Sequence, residues 1–431
     1  MKTLIRGGRL VDPAQDIDQE SDVLVEDGLI SAAGPSLGAE GAEVVDARGL
    51  VVCPGLVDMH VHLREPGRED EETIASGARA AIAGGFTSIA CMPNTEPAIE
   101  GEKGVRFVLS KADEAGMARV YPIAAASRGL KGKTLAEIGS AIGSGAVAVS
   151  DDGMPIANGS LMRRALEYVK MFGRPVVSHS EDPTLSAGGV MNEGRMSTLL
   201  GLKGIPGASE SAAVARDIIL TELTGSRLHV CHVSTARSLG FIEEAKSRGI
   251  AVTCEVTPHH LALSDEAVRT YDPNTKMNPP LRDERDVGAL RHGIRTGLID
   301  AIASDHAPHS EEEKDQEFDL APFGILGLET SLGLMCTQLY HEGIVPLSGL
   351  VRLMSTNPAV ILGIPAGTLE VGRPADITLF DPGAEWTVDA SGFESLSRNT
   401  PFSGWKLKGR AVSVLVGGRW MMREGEITGG R

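Results

Sequence analysis

Eight apolar, β-branched runs recur along the middle of the chain: Leu50–Leu63, Phe86–Asn94, Ala118–Ser127, Gly145–Asp152, Arg174–His179, Ser226–Ser234, Gly249–Thr257 and Ile299–Asp305. Between most of them lie stretches of helical composition rich in Ala, Leu, Glu and Arg, among them Glu71–Ala83, Leu161–Phe172, Ser209–Leu223 and Arg237–Arg248. Near-continuous apolar strands alternating with helices are the pattern of parallel strands covered by helices, because both faces of each strand must stay dry. Eight such units over roughly 250 residues predict an α/β fold, a (β/α)8 barrel of the TIM type. A doubly wound open sheet competes, but it offers no reason for eight units. Leu347–Leu362 reads as a helix that closes the barrel.

The two ends follow a different pattern. Leu4–Val11, Val23–Ile30 and Glu43–Asp46 near the start, with Ala375–Asp381 and Val412–Gly418 near the finish, are short strands separated by turn residues. Each end alone is too small to bury a core, so the two are expected to pair into one small β-sandwich domain. The chain then divides into residues 1–52 with 365–431 for the composite β-sandwich, and 53–364 for the barrel.

Composition narrows the partners. Among 431 residues, 41 Lys+Arg stand against 58 Asp+Glu, a formal charge of −17, and aromatics make up only 4%. So acidic a chain, with so few stacking rings, argues against nucleic acid and against anionic membrane surfaces. No run of about 18 apolar residues predicts a membrane helix, and Met1–Gly8 lacks the apolar stretch of a signal peptide. Cys53, Cys91, Cys231, Cys254 and Cys336 are scattered through apolar runs without C-x-x-C spacing, as buried, reduced thiols of a cytoplasmic protein would be.

Candidate chemistry sits at the strand ends, which face the active site in barrels of this type. The first run finishes Asp58-Met59-His60-Val61-His62-Leu63-Arg64, and alternation puts Asp58, His60 and His62 on one face. Later strand ends supply Asn94, Asp151-Asp152, Ser178-His179, His232 and Ser304-Asp305, so six of the eight carry groups able to bind a ligand. One histidine alone is more often structural. Four histidines and two aspartates at one end of one barrel favour a metal site of the N/O type that suits zinc. His229, His292 and His341 fall off the strand ends and read as structural, as do His259 and His260, just past the seventh strand.

Here the residues reach a resemblance. Asp58-Met59-His60-Val61-His62-Leu63-Arg64-Glu65-Pro66, together with Ala303-Ser304-Asp305-His306-Ala307-Pro308-His309 and the downstream Lys314, resemble the paired signatures of the dihydroorotases, members of the amidohydrolase superfamily. Met92-Pro93-Asn94-Thr95, Ser150-Asp151-Asp152-Gly153 and Met277-Asn278-Pro279-Pro280-Leu281-Arg282 are similar to the family's pattern too, so the likeness covers nearly the whole chain. Many relatives bridge two zincs with a carboxylated lysine at the fourth strand, and Gly145–Asp152 contains none. An aspartate there resembles the bacterial class I dihydroorotases, and the resemblance points to Asp152. Hydantoinases, dihydropyrimidinases and allantoinases normally carry the lysine and are the weaker alternatives. A non-catalytic scaffold is weaker still, since such chains lose the first-strand histidines.

The resemblance implies one or two zinc ions, with His60, His62 and Asp305 on one, His179 and His232 on the other, and Asp152 shared. It implies reversible cyclisation of N-carbamoyl-L-aspartate to (S)-dihydroorotate plus water in pyrimidine (UMP) synthesis, with zinc-bound hydroxide as nucleophile and Asp305 as general base and acid. Substrate contacts are implied for His62, Arg64, Asn94, Asn278, His309 and the backbone at Phe323 and Gly324. Arg64 lies two residues past His62 and offers a planar fork to a carboxylate, unless it pairs with Glu65 or Glu69 at the surface. The stretch His309–Pro322 is read as a mobile loop whose base touches substrate. The family also implies a homodimer and an association with aspartate carbamoyltransferase.

Overall fold

The computed structural model describes residues 2–429. Eight parallel strands run in chain order around a barrel: Leu56–Val61, Phe86–Cys91, Arg119–Ala125, Ala148–Ser150, Val176–Ser178, Leu228–Val230, Val252–Val256 and Ala301–Ile302. A parallel bridge from Val61 to His306, with His62 N–H donating to His306 O at 2.8 Å, brings the last strand back to the first. The larger apolar cluster joins strand residues Ile89, Val149, Val230 and Val256 to helix residues Val105, Leu166, Val214 and Leu290. A second links Val57, Ala90, Ile123, Val177 and Ala303 with one another. Each strand is therefore dry on both faces, which is why the runs read as continuous rather than alternating.

The run Leu50–Leu63 proves to be two strands. Val51–Pro54 pairs with the terminal sheet, and Leu56–Val61 opens the barrel. The change of sheet falls at Gly55, where a Cβ would stand 2.0 Å from Thr87 Oγ1, so only glycine lets the chain pass.

The two ends do pair. Lys2–Asp12, Ile17–Glu26, Leu29–Gly34, Glu43–Asp46 and Val51–Pro54 join Ile377–Thr387, Lys406–Val416, Arg419–Arg423 and Glu426–Ile427 in one nine-stranded sheet. They meet where Val51–Pro54 lies antiparallel to Ile377–Phe380, over a core of Ile5, Leu10, Val23, Ile30, Val52, Leu379 and Leu415. The stretch Leu347–Leu362 is helical throughout, with a π-helical turn at Arg352–Thr356 between two α-helical pieces. No described helix is long and apolar enough to cross a membrane. All five cysteines are buried and free, and burial pushes the thiols of Cys91, Cys254 and Cys336 up to about 12.

Candidate active site

Six strand-end side chains converge. His60 and His62 close the first strand, while Asp152, His179, His232 and Asp305 follow the fourth, fifth, sixth and eighth, and all six are buried. His62 Nε2 lies 3.0 Å from Asp305 Oδ1 and 3.5 Å from Asp152 Oδ2. His60 Nε2 lies 3.4 Å from Asp305 Oδ1 and 3.5 Å from Asp152 Oδ1. The same Asp152 Oδ1 is approached by His179 Nδ1 at 3.5 Å and by His232 Nε2 at 3.7 Å. His232 and Asp305 reach inward from backbone with φ 31° and φ 48°, a strained region that only tight surroundings maintain.

Their spacing fits a metal. Ligand atoms bonded at 2.0–2.2 Å in a tetrahedron stand about 3.3–3.6 Å apart. The distances here, 3.0–3.7 Å, bracket that range, and His60 Nε2 and Asp152 Oδ1 are buried without a hydrogen-bond partner. Electrostatics favour a cation at the centre. Burial resists charge on Asp152 and Asp305, yet the facing histidines hold both carboxyls well below their usual range. Burial likewise opposes charge on His179, but Asp152 and Glu181 outweigh it and raise the imidazole to about 10.

Behind the cluster a second layer fixes each ring. His60 Nδ1 donates to Glu255 Oε1 at 2.7 Å, which aims Nε2 at the centre; Glu255 Oε2 stands 3.1 Å from His229 Nε2. Burial alone would raise Glu255, but hydrogen bonds from His229 and His60 take it down to about 2. His62 Nδ1 meets Asn94 Oδ1 at 2.8 Å, and His179 Nε2 lies 3.5 Å from Glu181 Oε2, which accepts Asn278 Nδ2 at 2.9 Å. Asp151 turns away from the cluster and accepts the N–H groups of Ala126 and Ser127. The His259 and His260 rings lie 4.6 Å apart, tilted by 47°, and burial drops His260 to about 4. They are buried beside the seventh strand, not among the six.

A cavity of about 190 Å³ opens over the cluster, lined by His62, Arg64, Asn94, Asn278, His309, Phe323 and Gly324, the seven residues for which the resemblance implied substrate contact. Arg64 departs from its local alternatives. Glu65 accepts Ile74 N–H and Glu69 accepts Gly67 N–H, whereas Arg64 Nε stands 3.2 Å from Glu71 Oε2 and donates to Pro308 O at 3.0 Å. Its Nη2 is 3.3 Å from His309 Nε2. His309 Nδ1 meets Glu71 Oε1 at 2.9 Å, and its Nε2 lies 2.8 Å from Phe323 O. The segment after His309 forms a short helix, Glu311–Lys314, capped by Ser310. Gly324 has φ +154°, and a Cβ there would come within 2.8 Å of Ala307 O.

Glu71, Glu181 and Glu255 carry this arrangement, and sequence reasoning passed over all three. Glu255 left a signal: a carboxylate inside the apolar run Gly249–Thr257 must find buried partners. Glu71 and Glu181 stand in polar stretches and left none.

Comparison with known proteins agrees with this geometry. A family model described as dihydro-orotase-like matches residues 49–238. The dihydroorotase of Pelotomaculum thermopropionicum is 56% identical over 425 residues, spanning 98% of this chain and 99% of the relative. That of Geobacter sp. strain M21 is 53% identical over 426 residues, 99% of this chain and all of the relative. Among solved structures, the L-hydantoinase (dihydropyrimidinase) of Arthrobacter aurescens superposes with a TM-score of 0.90 at 28% identity, over 99% of this chain and 97% of that one. The dihydropyrimidinase of Brevibacillus agri NCHU1002 gives 0.88 at 26% identity, over 100% and 96%. Barrel, terminal sheet and strand-end cluster are the architecture of an amidohydrolase that acts on cyclic amides. Within that class, the chain belongs to the dihydroorotase family.

Proposed function

We propose that the chain is a zinc-dependent enzyme interconverting (S)-dihydroorotate and N-carbamoyl-L-aspartate. One observation carries the reading: two buried ligand atoms without a hydrogen-bond partner, His60 Nε2 and Asp152 Oδ1, sit among six ligand-type groups directly beneath a cavity that holds Arg64. His60, His62 and Asp305 would hold one ion, His179 and His232 a second, with Asp152 between them. When bound, such a metal brings the pKa of water from 15.7 to about 7 and polarises a carbonyl.

The chain's own groups supply the rest. The Arg64 fork, steadied by Glu71, pairs with the substrate carboxylate, with His309 and the Asn94 amide nitrogen beside it. Asn278 Oδ1 is buried and unpartnered, an acceptor suited to a ring N–H. Asp305 takes the proton of the attacking water and passes it to the ring nitrogen that leaves; ring closure reverses the transfer. Under this reading residues 53–364 form the catalytic barrel and 1–52 with 365–431 the accessory β-sandwich, Cys53 and Pro54 completing the strand that joins the terminal sheet.

The test joins metal analysis to an assay of dihydroorotate hydrolysis. Purified protein is expected to contain zinc, to lose activity to a chelator and to regain it with added zinc. Protein that stays inactive after zinc loading refutes the reading. Faster turnover of a neutral hydantoin or dihydropyrimidine than of dihydroorotate overturns the substrate assignment.

A further inference from the structure

Two buried lysines stand directly behind the rim of the cavity. Lys276 is 3% and Lys314 6% exposed, and neither forms an ion pair with a carboxylate among the described residues. Lys276 Nζ donates to Asp319 O at 3.1 Å and Ala321 O at 2.6 Å, and lies 4.8 Å from the centre of the Phe323 ring. Lys314 Nζ donates to Pro322 O and to Gly324 O, each at 3.0 Å. Four carbonyls of the single stretch Asp319–Gly324 thus converge on two ammonium groups.

The same stretch is tied to the cavity at its end. Gly324 N–H donates to Lys276 O at 2.9 Å, and Asn399 Nδ2 donates to Gly324 O at 3.1 Å. Phe323 O lies 2.8 Å from His309 Nε2, and Asn399 Oδ1 accepts His309 N–H at 3.1 Å. Phe323, Gly324 and His309 all line the cavity. Asp319 favours the charge on Lys276 and Asp272 that on Lys314, but neither pairs with it. Burying an ammonium so weakly compensated is costly, so a stretch that needed only to be folded would be better served by apolar packing. Burial draws the Lys276 amine down to about 8 and that of Lys314, which also faces Lys276, to about 7, a measure of that cost.

We propose that Lys276 and Lys314 are positioning residues for the reaction: by gathering the carbonyls of Asp319–Gly324 they set Phe323, Gly324 and the His309 ring at the cavity edge, and they place positive charge behind the site where an anionic substrate binds. This rests on the dihydroorotate reading above. Neither lysine touches substrate. Their effect passes through the rim, and it is felt in substrate binding rather than in the chemical step.

The experiment compares Lys276→Met and Lys314→Met with Lys314→Arg, all loaded with zinc, by steady-state kinetics on dihydroorotate, with zinc content and melting temperature measured alongside. The Met variants are expected to retain zinc and to raise KM about tenfold while kcat changes less than about threefold, and Lys314→Arg to recover most of the KM. Unchanged KM in folded, zinc-loaded Met variants overturns the proposal. So does a joint loss of kcat and zinc, which marks a merely structural role. Should a Met variant fail to fold, Lys314→Gln, which retains a donor and drops the charge, decides by the same split. An unmodified protein inactive on dihydroorotate sinks the functional reading itself, whereas an active one with indifferent lysine variants sinks only the positioning role.

Discussion

The site is built in two different ways at its two levels. At the strand ends, the six ligand-type groups arrive on five strands of the eight-stranded barrel, and carboxylates or an amide one layer back orient the rings, as Glu255 does His60 and Asn94 does His62. At the rim, Arg64, His309 and the Phe323–Gly324 backbone arrive on loops and are held by one another, by Glu71 and by lysines binding carbonyls. The strand-end level is a set of acceptors waiting for a cation. The rim is cationic, with a carboxylate behind it, and waits for an anion. Under the proposed function, chemistry and recognition fall to separate scaffolds, and they should fail separately when mutated.

The sharpest contrast follows from that separation. Asp305→Asn retains the shape of the lower level but cannot carry a proton, so kcat is expected to fall about 10²–10⁴-fold with little change in KM. Arg64→Ala at the rim is expected to do the reverse, raising KM for dihydroorotate with a smaller effect on kcat. Steady-state kinetics on the two variants decides, and a kcat loss in Arg64→Ala as deep as that of Asp305→Asn breaks the division. The next effect is smaller and lies one layer back. Glu255→Gln leaves His60 in place but removes the carboxylate that fixes its tautomer, and zinc affinity is expected to drop about 10–100-fold. Competition with a chelator measures it; unaltered affinity shows that strand geometry alone orients the ring.

The same division explains what could be read from the chain beforehand. Strand ends are local: once the apolar runs are found, Asp58–His62 and Ala303–Asp305 name their own positions, and period-two alternation gives the facing. The strand count came from the same runs, but not the break at Gly55, because its cause, the Thr87 side chain, lies on the neighbouring strand. The rim is not local. Arg64 meets Pro308, Lys276 meets Ala321 and Asn399 meets His309 across long chain separations, between segments without hydrophobic period. Arg64, His309, Phe323 and Gly324 were reached through family likeness, while Glu71, Lys276 and Asn399, which hold them, were not reached at all. Glu65 and Glu69 are the near partners for Arg64 in sequence, but Glu65 accepts Ile74 N–H and Glu69 accepts Gly67 N–H.

The last contrast is in pH and is the smallest. With metal bound, the histidines at the strand ends bind through neutral nitrogens, and they have no proton to lose as pH rises. The rim behaves otherwise. Burial lowers the Lys314 amine to about 7 and that of Lys276 to about 8, from an ordinary value near 10.5. Between those limits the unfolded chain binds more protons than the folded one, so stability contributed by the rim rises with pH from about 7 to about 10.5 and is lost as pH falls back through 7. Lys314→Met removes one of the two groups. The melting temperature of the zinc-loaded variant, followed from pH 7 to pH 10, is therefore expected to climb less than that of the unmodified protein, by about 1–3 °C over the range. Equal slopes would mean that the Lys314 ammonium is solvated as well in the fold as in water, and that the rim, like the strand ends, is held by geometry without a charge left over.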